Sequence, residues 1–188
     1  MSVTSSTNPV DAIIDILNRI EQFDELVVES GETVTIPANE IWYVEGDVVV
    51  NGDLEINGKL INGVAWRDKP DIYRLDEVSP KARENTNTDT IYVRNTGSVN
   101  LERFSADPLE QTEDGSAECL IYSFDESRSR QTARDVVGIF QDLMNDNYSK
   151  TDFHNIEPTA IADSRAAKIT RQTDHYVFLV EIETHRLE

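Results

Sequence analysis

The side chains that most often carry chemistry are few in this sequence, and their spacing does not bring them together. Histidines occur at positions 154, 175 and 185. His175 and His185 fall in one predicted strand and lie about 33 Å apart at the strand rise, so they do not share a metal ion. His154 follows Asp152 closely, but no third ligand stands at a usable spacing. Because spacings of the H-x-x-x-H or C-x-x-C kind are absent, the sequence predicts no metal site.

Cys119 is the single cysteine, so no disulfide forms within the chain. It lies in the strand-like run Ala-Glu-Cys-Leu-Ile-Tyr with no partner motif for a thiol nucleophile, which predicts a buried, unreactive thiol. The G-x-S-x-G motif, the phosphate-binding loop and the dinucleotide fingerprint are also absent. The sequence therefore predicts no catalytic residue, no cofactor and no enzyme.

Asp47 and Asp53 follow glycines in successive turns of a short repeat and form a regularly spaced carboxylate pair. Carboxylate oxygens at such turns are possible calcium ligands. Aspartate in this position also caps turns by hydrogen bonding to the nearby backbone. Lys59 occupies the equivalent place in the third turn, so we favour turn capping over an ion site.

The charge balance is strongly acidic. Thirty-six acidic residues face 17 basic ones, for a net charge of −19, and the acids are spread along the chain. One interpretation is an ordinary acidic cytoplasmic protein. The other is a protein adapted to molar salt, where the Debye length is about 3 Å and self-repulsion is screened. The scarcity of lysine favours the second interpretation.

A basic cluster occurs at Arg128, Arg130 and Arg134, but Asp125, Glu126 and Asp135 are interleaved with it. At helical spacing these charges pair with one another on a solvated face. Affinity for phosphates needs clustered, unneutralised cations. We therefore predict no sequence-specific nucleic-acid binding, and the absence of a long apolar run predicts no membrane span.

A six-residue repeat organises the segment from 36 to 62, with glycine at 46, 52 and 58. Glycine and asparagine are expected at its corners because both tolerate positive φ. A six-residue spacing of this kind is typical of a β-solenoid rung or a compact meander. So short a stack exposes apolar ends and unpaired strand edges, which must be covered by other parts of a protein. Two apolar ladders follow the period: Ile36, Trp42, Val48, Leu54 and Leu60, and then Ala38, Val44, Val50 and Ile56.

The other segments indicate a helix and a sheet. A helix capped by Asn8 is predicted to run to about Gln22. Apolar residues at helical spacing predict a long amphipathic helix that opens at 124–126 and ends at 145–147, with the stripe Ala133, Val136, Val137, Phe140, Leu143 and Met144. Strands are expected at 90–95, 99–104, 117–123, 153–156, 159–162 and 175–186, with polar or acidic loops at 79–88 and 107–116.

These elements predict an α+β fold with a mostly antiparallel sheet, a long amphipathic helix packed on it, and an inserted short β-solenoid-like or β-meander segment. Residues 1–24 form an N-terminal arm and helix that belong to the core domain. Residues 25–64 are the inserted repeat segment, and residues 65–188 complete the α+β core.

The pattern outside the repeats resembles the tail-completion family of tailed viruses, the tail-terminator and head–tail neck proteins. The likeness rests on the first helix, on Trp66 with the Lys-Pro-Asp-Ile run at 69–72, and on the order of elements from 91 to 188. That order is an edge strand at 91–94, a strand at 120–123, the helix with Arg-Asp-Val-Val-Gly-Ile-Phe, a turn at 153–156, and a final strand at 171–183. The repeat segment has no counterpart in compact members. Hexapeptide acyltransferases share a six-residue repeat, but their longer solenoid carries a catalytic histidine, which this segment lacks.

The resemblance and the acidic composition together imply a structural virion protein of a haloarchaeal tailed virus. Such a protein forms a hexameric ring that terminates the tail tube and joins it to the head–tail connector. Its expected partners are further copies of itself, the tail tube protein and neck, stopper or connector proteins, with genome DNA passing an acidic lumen. The expected location is the tail or neck of the virion, and the host cytoplasm during assembly.

An alternative is a virion surface turret, fibre or neck stopper protein that uses the repeat segment for oligomerisation. A small enzyme ranks last. Under both assembly hypotheses the partner interface is expected on the repeat ladder and on two strands taken as sheet edges, with the candidates Trp42, Val48, Leu54, Leu60, Ile91, Val93, Tyr176 and Phe178.

Overall fold

The computed structural model describes residues 8–75, 88–103, 111–145, 155–163 and 176–187. It shows a mixed α+β fold with a β-solenoid-like arrangement. The chain divides into two compact units: a sheet unit, Met1–Ile14 with Asp68–Glu188, and a solenoid unit, Asp15–Arg67. The solenoid unit therefore begins before the predicted boundary at 25, because the strand at 20–23 pairs within it.

Seven short strands form the solenoid unit, and all of their pairings are parallel. They build three faces: a first face β1-β4-β7, a second face β2-β5 and a third face β3-β6. The strands are β1 (Ile20–Phe23), β2 (Leu26–Val28), β3 (Thr33–Ile36), β4 (Ile41–Val44), β5 (Val48–Val50), β6 (Asp53–Ile56) and β7 (Lys59–Asn62). The chain thus makes two coils and begins a third.

The six-residue period sets the corners of each coil, and the strands stack one full coil apart. Ile41 pairs with Lys59, which is three repeats further along the chain. Val28 pairs with Val50, and Ile36 with Ile56. Residues six apart consequently lie on successive faces, so the two predicted ladders are rows around the solenoid and not stacked columns.

Close packing between coils explains the repeated glycines. A Cβ built at Gly58 would lie 2.2 Å from the Pro37 carbonyl oxygen and 2.4 Å from that of Glu40, and Gly52 is equally crowded by Glu29 and Glu32. Positive φ is found at Gly31 and Gly63, outside the repeated corners. The expectation that the corner glycines serve positive φ is wrong, because their role is to let one corner lie directly on the corner below.

The sheet unit is built on a five-stranded sheet in the order β11-β12-β10-β9-β8. Its strands are β8 (Asp71–Arg74), β9 (Thr90–Arg103), β10 (Gln111–Ser123), β11 (Asn155–Asp163) and β12 (Tyr176–Leu187). β8 is parallel to β9, and the other pairs are antiparallel. The resemblance segment spans the division of the chain, since Trp66 is buried in the solenoid unit and Ile72 lies in β8.

Two predicted strand boundaries differ from the structure. The strands expected at 90–95 and 99–104 are one strand, β9, because its long antiparallel pairing with β10 carries the strand through Gly97. β10 begins at Gln111, inside the predicted acidic loop, and a bulge between Gly115 and Ala117 absorbs the change in register. The loop expected at 79–88, except for Thr88, and the turn residues 153–154 lie outside the described residues.

Helix α2 (Glu126–Asn145) lies against β10, β11 and β12. Its buried residues recur at helical spacing: Ser129, Thr132, Ala133, Val136, Ile139, Phe140 and Leu143. The predicted stripe is recovered apart from Val137 and Met144, which are half-buried, and Ile139 was missed. Helix α1 (Pro9–Asn18) is capped by Asn8, whose side-chain oxygen accepts the N–H of Val10 at 3.0 Å. It ends before the predicted Gln22 because β1 begins at Ile20.

Candidate assembly surfaces

The last coil of the solenoid leaves inward-facing apolar side chains without a layer above them. Val28 and Ile36 in the first coil are 0% exposed, whereas their stacked partners Val50 and Ile56 are 44% and 52% exposed. The chemistry of each pair is the same, so the difference comes from the missing third layer. We call this surface, formed by the outer edges of β5, β6 and β7, the open end.

The open end has a step. The first face carries a third strand, β7, whereas the second and third faces stop at β5 and β6. Within residues 20–62, all described, nothing pairs with the outer edge of these three strands. Unpaired parallel strands with exposed valine and isoleucine are a template for further pairing. The opposite end differs, because the inward apolar residues of the first coil, Ile20, Leu26, Val28 and Ile36, are at most 8% exposed.

The four predicted interface residues of the solenoid are half-buried. Trp42 packs against Phe23 with ring centroids 4.6 Å apart, and its indole N–H donates to Glu40 Oε2 at 2.6 Å. Leu60 stacks on Trp42 in the first face. Val48 and Leu54 belong to β5 and β6, so they lie at the open end, while Trp42 lies one layer below it.

The four predicted interface residues of the sheet unit belong to β9 and β12, which are inner strands in the strand order. β9 is flanked by β10 and β8, and β12 by β10 and β11. Ile91 and Val93 are fully buried, Phe178 is buried, and Tyr176 is half-buried. The prediction that these strands are edges is wrong at Ile91, Val93 and Phe178, which pair with strands on both sides, whereas Tyr176 pairs with Ser123 of β10 and lies beyond the residues that pair with β11.

The outermost strands of the described sheet are β11 and β8, and β8 pairs only with residues 90–93 of β9, so among the described residues β9 pairs on one side alone from Arg94 onward. β11 contains Pro158, which has no N–H to donate and is tolerated at an edge, and its pairing with β12 shifts register between Pro158 and Ala160. Ile161 on this strand is 42% exposed. β8 pairs on one side with β9. Neither edge was predicted from the sequence, since no sheet edge was expected at β8 and β11 was expected as two separate strands.

A buried carboxylate ties the start of β9 to α2. Asp89 is 4% exposed and accepts the hydroxyl of Thr132 at 2.7 Å, and Arg128 lies 3.4 Å away across the same carboxylate. The backbone carbonyl of Asp89 also accepts the N–H of Asp71 at the start of β8. These bonds give Asp89 a structural role, which its position beside a predicted polar loop had not indicated.

The face of the sheet that carries Tyr92, Leu120 and Val177 also holds a tyrosine group. Tyr92 lies edge-on to Tyr122 with centroids 5.2 Å apart, and 6.2 Å from Tyr73. Burial raises the pKa of Tyr122, Tyr92 adds to the rise, and Arg94 opposes it. Arg94 is held by Glu118 through a 2.6 Å hydrogen bond from Nε. A depression of about 350 Å³ beside this pair is lined by Val10, Arg74, Leu75, Arg94 and Asn95.

Cys119 is fully buried between β9 and β12, and burial raises its pKa to about 12. The thiol stays protonated at neutral pH, so its thiolate is not available as a nucleophile.

The histidines are the remaining chemical candidates. His154 and His175 fall outside the described residues, and His185 is in β12. No group of three metal-ligating side chains comes together in the described part of the chain. Among the same residues, no helix is long and apolar enough to cross a membrane.

Neither a protein-family model nor a curated protein matches this sequence.

Proposed function

We propose that this chain is a structural virion protein that assembles into an oligomeric ring, terminates a tail tube and joins it to the head–tail connector. The observation that carries the proposal is the pair of open sheet edges. β8 and β11 lie at opposite sides of one sheet, and neither has a further strand on its outer side among the described residues. Pairing of β11 in one copy with β8 in the next is a heterologous contact, which closes into a ring when the rotation permits.

The resemblance to tail-completion proteins supports the virion role. It rests on the first helix and on the sheet with the helix α2 against it, which corresponds to the finer fold we propose: a mostly antiparallel sheet carrying a long amphipathic helix. The net charge of −19 also fits a lumen that does not retain DNA phosphates, and it fits assembly in molar salt.

The ring is tested by sedimentation velocity and negative-stain microscopy of the full chain in molar KCl. We expect closed particles with an integral multiple of the 21.3 kDa monomer mass. Ile161→Asp places a charge on the β11 edge and is expected to reduce assembly. Phe124→Asp is the matched control, because Phe124 is 51% exposed but lies in the turn before α2. A chain that stays monomeric, or equal loss in both variants, contradicts edge pairing.

The position in the virion needs a separate measurement. Mass spectrometry of purified and dissected particles is expected to find the chain with tails or necks. Recovery with capsid turrets or fibres instead favours the second candidate, a surface turret, fibre or neck stopper protein. The observation behind that candidate is the open end, which offers an oligomerisation surface on the repeat segment itself.

A further inference from the structure

We infer that the open end of the solenoid is a docking surface for the open end of a second copy, related by a two-fold axis. This contact is independent of the proposed ring, because it uses β5, β6 and β7 and leaves β8 and β11 untouched. It also assigns a partner to apolar side chains that the fold leaves uncovered.

The missing layer determines what kind of partner can cover the open end. A body that covers Val50 and Ile56 needs strand edges with the same three-faced spacing and apolar residues at alternate positions facing the axis. The solenoid's own last coil has both properties, since β5 and β6 present Val48 with Val50 and Leu54 with Ile56.

The open end is uneven in height. β7 raises the first face by one strand, about 4.8 Å, above the second and third faces. Reversing a second copy onto the first places its β7 over β5 of the first copy and receives the first copy's β7 over its own β5. Each protruding strand thus fills the gap over β5 of the other copy, and the pairing between copies is antiparallel. A gap one strand wide remains between the two β6 strands, where the Ile56 side chains of the two copies face each other.

The two ends of the solenoid differ, which excludes stacking of copies in one direction. Head-to-tail stacking needs an open apolar layer at the other end of the solenoid. The inward residues of the first coil are already buried, so that end has no uncovered layer to offer. An open end can therefore meet only another open end, which gives a closed dimer and not a fibre.

Charge is consistent with this arrangement. Lys59, the only basic residue in strands β1–β7, begins β7. Antiparallel pairing of β7 on the second copy's β5 brings Lys59 alongside the corner that leads to Asp53 of that copy. The two β6 strands, with Asp53 and Glu55, face each other about 10 Å apart across the axis, or two strand spacings. Molar salt, with a Debye length of about 3 Å, removes the repulsion between them.

Cysteine crosslinking tests the geometry in the full chain. Glu55 and Thr35 are stacked partners in the third face, and the Thr35 hydroxyl lies 3.3 Å from Glu55 Oε2, so either substitution removes the same contact. In the two-fold dimer, cysteines from Glu55→Cys are about 10 Å apart and those from Thr35→Cys about 19 Å apart. A bismaleimide that spans about 10 Å is expected to crosslink the first variant and not the second. The native Cys119 is buried, so the unsubstituted chain, which carries only this cysteine, measures the background level of crosslinking.

Sedimentation equilibrium supplies the affinity. The double variant Val50→Ser, Ile56→Ser is expected to raise the dimer Kd by at least about tenfold. Val27→Ser is the control, because Val27 is 39% exposed in the first coil, away from the open end. Unchanged unfolding of both proteins, followed by tryptophan fluorescence, shows that the solenoid remains folded. We expect the unsubstituted chain to dimerise more tightly in molar KCl than in low salt.

Several results overturn the inference. These are equal crosslinking of the Glu55→Cys and Thr35→Cys variants, a trimer through the solenoid, an unchanged Kd in the double variant, or no association of the unsubstituted chain at its highest soluble concentration in molar KCl. Loss of ring assembly in Ile161→Asp with the Glu55→Cys crosslink retained separates this contact from the sheet-edge contact.

Discussion

Replacing Gly58 by alanine tests whether the corners of the solenoid lie directly on one another. The new Cβ would stand 2.2 and 2.4 Å from two backbone carbonyl oxygens, whereas ordinary contacts begin near 3.4 Å. The corner must therefore move by about 1 Å, since neither carbonyl belongs to a flexible side chain. Both carbonyls are held in place, because the Pro37 carbonyl accepts the N–H of Glu40 and the Glu40 carbonyl accepts that of Lys59.

The magnitude follows from these contacts. Overpacking of this kind costs about 1–3 kcal/mol. A shift of about 1 Å also lengthens the bond from Lys59 N to the Glu40 carbonyl, now 3.1 Å, beyond hydrogen-bonding range, and each lost bond costs about 1 kcal/mol. We expect Gly58→Ala to lower the free energy of unfolding of the solenoid unit by about 2–4 kcal/mol.

The assay is urea unfolding followed by tryptophan fluorescence, because Trp42 and Trp66, the two tryptophans of the chain, lie in the solenoid unit. Two further glycines serve as controls. Gly31 has φ +85° with open space around it, so Gly31→Ala is expected to cost only about 1–2 kcal/mol of backbone strain. Gly138 lies within α2 of the sheet unit with no neighbour in contact range, so Gly138→Ala removes a poor helix former without crowding and is expected not to destabilise the transition reported by the tryptophans.

The result that refutes this reasoning is a Gly58→Ala variant no less stable than Gly31→Ala. Such a result would mean that the coils are not in contact at their corners, and the stacked register described above would be incorrect.

Further predictions concern the sheet unit, where the reactivity of Cys119 toward a thiol reagent reports opening. Thr132→Val leaves the buried carboxylate of Asp89 without its hydroxyl donor and is expected to cost about 1–3 kcal/mol, whereas Ser127→Ala on the exposed side of α2 is expected to change little. The pKa of Cys119 is raised from 9.0 to about 12, so the buried neutral thiol contributes stability that is fully present below pH 9 and is lost as pH rises through 12. The unfolding free energy of the unsubstituted chain, measured by urea unfolding followed by circular dichroism, is therefore expected to fall relative to that of Cys119→Val by about 1.4 kcal/mol per pH unit in that range, and a pH-independent difference contradicts burial of the thiol. In Arg94→Gln, removal of the cation that opposes the rise is expected to raise the pKa of Tyr122 further, as measured by ultraviolet titration of the phenol.

The six-residue repeat shows which features of the solenoid can be predicted from local sequence pattern and which cannot. Its period predicted strands, corners and a solenoid, because alternate apolar residues and small corner residues constrain the backbone over six residues at a time. It did not tell which residues stack, since residues six apart and residues a full coil apart are equally regular in the sequence. The role of Gly58 was misjudged for the same reason: the crowding comes from Pro37 and Glu40, which lie in the coil below.

The helical and β-strand regions of the sheet unit were predictable where burial has a simple period, as in α2, and for Cys119 in its apolar strand. The strand order was not. Ile91 and Val93 are residue types that occur in edge strands and in central strands alike. Only the pairing of β8 with β9 shows that these two residues are internal. The hydrogen bond from Thr132 to Asp89 joins residues distant in sequence, so no local sequence pattern predicts it.

The sequence by itself determined the acidic charge, the repeat and its corners, the capped first helix, the buried face of α2 and the inert cysteine. These depend on composition and on interactions within a few residues. Only the tertiary structure decided which apolar residues remain uncovered. Val28 and Val50, or Ile36 and Ile56, are alike in type and local conformation, yet one member of each pair is fully buried and the other is about half exposed. The physical reason is that burial in a solenoid depends on the presence of the next coil, and this chain stops adding coils after β7.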